Sequence, residues 1–429
     1  MTTMMIAFVL FVSLIVFLFI NVPIAVAIGL ATVVGFLYAG MDVMAAAQRM
    51  LASVNSFTLL AIPFFMFAGA TMQVGGMSRR LVRFANSLVS SWPGGLAQVQ
   101  VLSTMFFAAL SGSSPATTAA IGSALIPEMK EKGYPAEFAA GLQAVAGTIG
   151  TILPPSIPMV VYCVVTNQSI GKLFAAGFIP GILMGLALMA VVYYKAKKHK
   201  YGSVEKAPAS EVWASFKDAV WALLVPILIL GGIYSGVFTP TEAGAVASVY
   251  ALFIGLFVYK ELNFKNIMEV FLKSASNTAM VLFIIAASGV FSWLMNIKGV
   301  AAMTGQWFAS ASGSAEGFMF LFILLGLVVG FFMETVSMIL IITPVLYPVA
   351  VKFGIDPIHF GMVMTMILSL GMATPPVGEN LYIAAGIAKV NFESICKSVI
   401  PFVAISLIVI FLVAYVPWLA LAIPRMLYP

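Results

Sequence analysis

Windows of about 20 apolar residues, the length of α-helix that crosses the hydrocarbon of a bilayer, follow one another along nearly the whole of this chain. Of its 429 residues 62% are hydrophobic and 8% are charged, whereas a soluble domain carries roughly 25% charged residues. A core able to hide that much apolar surface from water is excluded, so lipid is the solvent. Backbone groups inside a bilayer must be satisfied within their own segment, which predicts an all-α polytopic membrane protein with roughly a dozen membrane segments. No polar linker divides the chain, so residues 1–429 are expected to form a single membrane domain. The stretch from Met5 to Ile20 runs through Asn21, Val22 and Pro23 into a second apolar stretch. With no basic leader or small-residue cleavage site, no cleaved signal peptide is expected.

Continuous apolar runs predict spans near 5–20, 24–39, 58–76, 95–110, 173–194, 219–237, 243–259, 276–296 and 399–423. Four amphipathic stretches, Val43 to Val54, Arg79 to Ser91, Ser210 to Val220 and Asn263 to Ser274, read as helices lying at the interface. The net charge of +6 comes from Lys and Arg in short connections, which is a topology signal and not a nucleic-acid footprint. The densest run, Lys195, Lys197, Lys198, Lys200 and Lys206, places its loop in the cytoplasm. Arg79, Arg80 and Arg83 form a second basic cluster whose side the pattern leaves open. Two cysteines, Cys163 and Cys396, give neither a disulfide framework nor a thiolate metal site.

Four polar or proline-rich strings interrupt the apolar runs: Leu110 to Pro115, Gly147 to Pro155, Met333 to Ser337 and Gly371 to Pro376. Non-helical backbone at membrane depth is tolerated only against protein or a water-filled cavity. These strings repeat at one constant offset: Pro154-Pro155 returns as Pro375-Pro376, Pro127 as Pro348 and Gly133 as Gly354. The expected halves are 56–200, with a hairpin near 95–132 and a broken helix near 136–167, and 276–398, with a hairpin near 315–350 and a broken helix near 357–389. Duplicated halves with discontinuous helices point to the midplane binding site of a secondary transporter.

Leu110 to Pro115 is too short to cross and too polar to face lipid, so it reads as the tip of a re-entrant helical hairpin. The hydroxyls of Ser111, Ser113 and Ser114 and the carbonyls freed around Gly112 are hard oxygen ligands for a small cation, and a helix N-terminus near Pro115 favours an anion. The bland alternative is small residues allowing close helix packing. Glu334 lies inside an apolar stretch from Phe318 to Val349, where an ionisable group must be paired, protonated or beside water. It is the sharpest single candidate, beside a cation or taking up a proton, against the plain reading of a carboxylate reaching the surface. Each proline pair ends a helix and frees the carbonyls ahead of it. Thr148, Gly150, Thr151 and Leu153 in one half, and Gly371, Ala373 and Thr374 in the other, therefore become oxygen donors. Glu242, after Thr239-Pro240-Thr241, suits a helix N-terminus, and His359 reads as a helix-face residue without a metal-ligand partner.

Five strings then narrow the field: Ser56 to Gly69 (SFTLLAIPFFMFAG), Ser111 to Ala119 (SGSSPATTA), Pro154 to Tyr162 (PPSIPMVVY), Phe238 to Ala243 (FTPTEA) and Thr374 to Tyr382 (TPPVGENLY). In that order they closely resemble the large (M) membrane subunit of TRAP transporters, the tripartite ATP-independent periplasmic family within the ion transporter superfamily. The resemblance implies inverted repeats with two re-entrant hairpins and an elevator motion of a transport domain against a scaffold. It implies sodium (Na+) as coupling ion, an organic-acid substrate of sialic acid or C4-dicarboxylate type, a periplasmic substrate-binding (P) protein, a small membrane (Q) subunit, and residence in the bacterial inner membrane. Carried onto this chain, one sodium site lies between Ser111–Ser114 and the break before Pro154, the other between Glu334, Thr335 and Ser337 and the break before Pro375. Pro155, Ser156, Gly378 and Asn380 are the corresponding candidate substrate contacts. Cys163, where the family usually has glycine, and Glu379, where it commonly has an apolar residue, depart from the pattern.

An ATP-driven pump is excluded by the lack of a P-loop string. An intramembrane hydrolase using a serine of the first tip would need a base within reach, and no histidine occurs in the first 198 residues and no G-x-S-x-G or H-E-x-x-H string anywhere. An enzyme is not expected. A passive or proton-coupled organic-anion permease remains the alternative to sodium coupling.

Overall fold

The computed structural model describes residues 2–199 and 206–428, and Lys200 of the basic run lies outside them. Every regular element among the described residues is helical. Among the described residues seven helices are long and apolar enough to cross a membrane, or up to nine if each of two bent pairs is one span. The expected spans at 5–20 and 24–39 are Thr3–Phe19 and Ile24–Tyr38, two packed apolar helices of 17 and 15 residues.

Two of the four amphipathic stretches are separate helices, Val43–Val54 and Met77–Val89. The other two are not. Ser210 to Val220 is the start of Ala209–Tyr234, and Asn263 to Ser274 the start of the 34-residue helix Phe264–Ile297. Neither contains a glycine or proline to stop the helix before the apolar part begins. Conversely, the expected span 399–423 ends at Tyr415, and Pro417 opens a separate helix, Trp418–Leu427, because proline cannot continue the hydrogen-bond ladder. Short polar residues set the helix starts: Asp42 accepts from Met44 N at 2.9 Å, Asp356 from Ile358 N at 2.8 Å, and Thr239 with Glu242 closes a capping box.

The inner part of the molecule holds two copies of one arrangement. In the first, Gly95–Ser111 and Ser114–Glu131 form a hairpin, followed by Ala136–Ala146, the turn Ile149–Ile152, a break, and Ile157–Thr166, bent by 42°. In the second, Ala315–Gly330 and Thr335–Lys352 form the hairpin, followed by Pro357–Gly371, a break, and Glu379–Ala388. The second legs of the two hairpins begin and end at the same offset as the proline pairs. Each is followed by a glycine at positive φ, Gly133 at 83° and Gly354 at 74°, a backbone region that favours glycine. Both proline pairs, Pro154-Pro155 and Pro375-Pro376, are joined by cis peptide bonds.

The two hairpins open at opposite ends. Gly94, at the mouth of the first, packs against Val192 and Ala196, beside the lysines that end Phe178–His199. Pro357, just after the second, accepts a 2.7 Å hydrogen bond from the Tyr162 hydroxyl, near the far end of the first broken helix. Arg79, Arg80 and Arg83 belong to the lysine end: Arg80 meets Glu261 at 2.6 Å and Asp218 at 3.0 Å, Arg79 meets Glu261 at 2.6 Å, and Arg83 meets Glu211 at 3.0 Å. The Arg80 guanidinium also lies 3.7 Å from the Tyr259 ring centroid. Ala61–Val74 packs on Pro240–Phe253 and Phe264–Ile297, Ala209–Tyr234 packs on Met77–Val89 and Pro240–Phe253, and Phe264–Ile297 also packs on Ile24–Tyr38, Val43–Val54 and the hairpin leg Thr335–Lys352.

Candidate functional site: paired hairpin tips and helix breaks

Each hairpin tip is docked on the break of its own half. In the first, Ile157 N donates to the Gly112 carbonyl at 3.2 Å; in the second, Gly378 N donates to the Phe331 carbonyl at 3.4 Å. The two donors are repeat-equivalent, at the offset that relates the proline pairs. Two glycines in the same register, Gly150 and Gly371, permit the approach. A Cβ at Gly150 would fall 2.7 Å from the Ser113 carbonyl oxygen, and a Cβ at Gly371 would collide with the backbone of Gly330.

At the first tip the Ser111 and Thr117 hydroxyls are hydrogen-bonded to each other, and Thr117 Oγ1 donates to the Ser113 carbonyl at 2.8 Å. Ser113 caps the helix Ser114–Glu131, its hydroxyl accepting from Ala116 N at 3.5 Å. Across from it Ser156 Oγ donates to the Thr151 carbonyl at 2.6 Å. Ser111, Ser114, Gly150, Thr151, Leu153, Pro155 and Ser156 are all buried. The structure thus gathers Ser111, Gly112, Ser113 and Ser114 with Gly150, Thr151, Pro155 and Ser156 at one spot. Every polar atom named there is oxygen or backbone amide, a donor set that suits a small hard cation. Among the described residues no His, Cys, Asp or Glu cluster could hold a metal ion by that chemistry.

At the second tip Glu334 takes the place of Ser113 in the repeat. Its carboxylate caps Thr335–Lys352, accepting from Ser337 N at 3.4 Å and Ser337 Oγ at 3.5 Å. Thr335 Oγ1 donates to the Met372 sulfur at 2.9 Å, and Thr374 Oγ1 turns back to the Leu370 carbonyl at 2.7 Å. Gly371, Ala373 and Thr374 are buried, and Glu379 lies within electrostatic reach of Glu334. Asn380 points away from the second tip. Its Nδ2 donates to Ser114 Oγ at 2.7 Å and the Ala144 carbonyl at 2.9 Å, while its buried Oδ1 has no partner.

Several contributors have no signature as isolated letters. Thr117 is one turn beyond Ser113, a helical spacing that could have placed it at the tip. Ser369 Oγ is hydrogen-bonded to Thr151 Oγ1 at 2.6 Å, and nothing in its apolar surroundings marks it. Of the charges read as structural, Glu242 sits in its capping box, and His359 is buried with Nε2 2.9 Å from the Val413 carbonyl.

Comparison with known proteins decides the family. The profile described as "Tripartite ATP-independent periplasmic transporter, DctM component" matches residues 11–419. The chain belongs to this transporter family. A C4-dicarboxylate TRAP transporter large permease, DctM, of Rhodobacter capsulatus is 40% identical, the match covering 98% of this chain and 99% of the relative. A sialic acid TRAP transporter large permease, SiaM, of Vibrio cholerae is 39% identical over 89% of each. An isethionate TRAP transporter permease, DctMQ, of Oleidesulfovibrio alaskensis is 42% identical over 94% of this chain but only 64% of its own length. Among solved structures, the YdaH transporter of Alcanivorax borkumensis superposes with a TM-score of 0.61 at 14% identity, covering 92% of this chain and 90% of the other, which is a likeness of fold. As a TRAP large permease the chain is a multi-pass membrane transporter, and the docked tips are its candidate transport site.

Proposed function

We propose that this permease uses a sodium gradient to drive uptake of a small organic anion handed over by a periplasmic binding protein. The observation that carries the reading is the matched docking of both hairpin tips on both helix breaks, made by repeat-equivalent amide donors, Ile157 N and Gly378 N. Ser111, Gly112, Ser113, Ser114, Gly150, Thr151 and Leu153 would hold one sodium ion, and Glu334, Thr335, Ser337, Gly371, Ala373 and Thr374 a second. A bound cation supplies positive charge where an organic anion must leave water.

The helix N-termini at Ser114, Ile157, Thr335 and Glu379 converge from the two halves and favour negative charge. Pro155, Ser156 and Gly378, beside these N-termini, are the substrate contacts we propose. Asn380 fits less well as a donor to the anion, because Nδ2 already serves Ser114 and Ala144. The named relatives take a C4-dicarboxylate, sialic acid or isethionate, all small anions, so a carboxylate of C4-dicarboxylate or sialic acid type is the substrate class. The lysine end faces the cytoplasm across the bacterial inner membrane. A small membrane subunit completes the permease, and the hairpins travel with the inner helices past the outer ones, as an elevator.

Reconstitution of the complete transporter in liposomes tests this. Labelled C4-dicarboxylate or sialic acid should accumulate only with an inward sodium gradient and the binding protein outside. Uptake at full rate without any gradient would establish a passive permease, and uptake driven by a pH gradient alone would make Glu334 a proton carrier.

A further inference from the structure

We propose that Ser369 and Asn380 are positioning residues that tie the two candidate cation sites into one cooperative unit. The inference rests on the sodium reading above and adds to it a coupling that the duplicated fold does not require.

A path of hydrogen bonds joined by short backbone links runs through both sites. Thr151 Oγ1, just ahead of the first break, is hydrogen-bonded to Ser369 Oγ at 2.6 Å and to the Thr148 carbonyl at 2.9 Å. The Ser369 carbonyl accepts from Met372 N at 3.2 Å, and the Met372 carbonyl accepts from Asn380 N at 2.9 Å, which carries the path through the second break. Asn380 Nδ2 then donates to Ser114 Oγ at 2.7 Å, returning to the first hairpin tip. From that tip the Gly112 carbonyl accepts from Ile157 N, and Ser156 Oγ closes on the Thr151 carbonyl. Ser114, Ser369 and Asn380 are 0% exposed and Thr151 2%, so water does not compete for these bonds, which are stronger in low dielectric than in water.

The repeat itself does not make the path. The first-half equivalent of Ser369 is Thr148, whose hydroxyl bonds within its own helix to the Val145 carbonyl at 2.7 Å, and the first-half equivalent of Asn380 is Met159. Both cross-links therefore join the halves through second-half side chains whose first-half equivalents are absent or bonded locally. A cation that orders the first break fixes Thr151, hence Ser369, one turn ahead of the Gly371 to Thr374 carbonyls, and the coupling is reciprocal.

The test uses the full-length permease in nanodiscs, its melting temperature followed while sodium chloride replaces choline chloride. The wild type should respond sigmoidally. Ser369→Ala should lower the Hill coefficient toward 1 and raise half-saturating sodium roughly 5-fold or more, with little change in choline alone. Ser369→Thr, which keeps the hydroxyl, should restore the steepness. Ser369→Cys, nearly isosteric but a poor hydrogen-bond partner, carries the same expectation as Ala should Ala impair folding, and Asn380→Leu should act in the same direction. Wild-type steepness in Ser369→Ala and Ser369→Cys overturns the proposal, as does a Ser369→Thr that loses it as fully as Ala. A hyperbolic wild-type response overturns the coupling and leaves the sodium reading standing; no sodium-specific response in the wild type removes both.

Discussion

Ser113 and Glu334 do the same structural work in the two halves, each capping the helix that leaves its hairpin tip, yet one is a neutral hydroxyl and the other a carboxylate. Cap and charge can be separated. Glu334→Gln keeps an acceptor for Ser337 N and removes the charge, so sodium-driven uptake should need roughly 10-fold more sodium, about 1.4 kcal/mol, with the melting temperature in choline nearly unchanged. Glu334→Ala removes the cap as well and should cost about 1 kcal/mol of stability on top. Sodium-dependent uptake kinetics and thermal unfolding of the two variants check both parts. Glu334 stands out in the sequence because an ionisable group in a long apolar stretch demands a reason. Ser369 and Thr117 do not, since a lone hydroxyl in an apolar helix can satisfy itself on the preceding turn; only the packed structure shows which hydroxyls reach across. Asn380 was visible as polar, but its direction was not, because sequence gives no cross-repeat partner.

At the level of elements, the breaks were legible because a proline pair stops a helix by covalent geometry, and the tips because polar strings interrupt apolar runs, whereas lone prolines such as Pro127 and Pro348 stay inside helices. Lengths were harder. An amphipathic turn followed by an apolar one continues as a single helix unless something stops it, which is why Ser210 to Val220 and Asn263 to Ser274 merged into the spans behind them. Gly150 and Gly371 are where the elements touch. Gly150→Ala and Gly371→Ala should each push a hairpin tip off its break, costing about 1–3 kcal/mol by overpacking and abolishing sodium-dependent stabilisation, whereas Gly386→Ala, with open space around it, should be silent; thermal unfolding with and without sodium reads all three. Outside the spans, Glu261 is partly buried, which pushes its pKa up, but the hydrogen bonds from Arg80 and Arg79 outweigh this and hold it below the usual value. A carboxyl lowered on folding contributes stability above its unfolded pKa of about 4.3, lost as pH falls through the lower folded value. Glu261→Gln should therefore cost stability at pH 7 and flatten the acid limb of a stability–pH profile.

For the molecule as a whole, the opposed mouths of the hairpins give each side of the membrane its own approach to the centre. A cysteine placed at Lys198, in a background lacking Cys163 and Cys396, should react with a membrane-impermeant maleimide only in inside-out vesicles; labelling of intact cells whose outer membrane has been permeabilised would reverse the assigned orientation. The inner helices are not held alike at the two ends. Met77–Val89 is stitched to its neighbours by three arginines and three carboxylates, while Val300–Ser312, which leads into the second hairpin, contains no ionisable residue. Dissolved salt shortens the reach of exposed charges, to a Debye length of about 10 Å at 0.1 M and about 3 Å at 1 M. Any salt, chemically specific or not, therefore weakens the ion pairs that hold Met77–Val89, so a titration that lets ionic strength rise with sodium measures a mechanical softening of the lysine end together with occupancy of the sites.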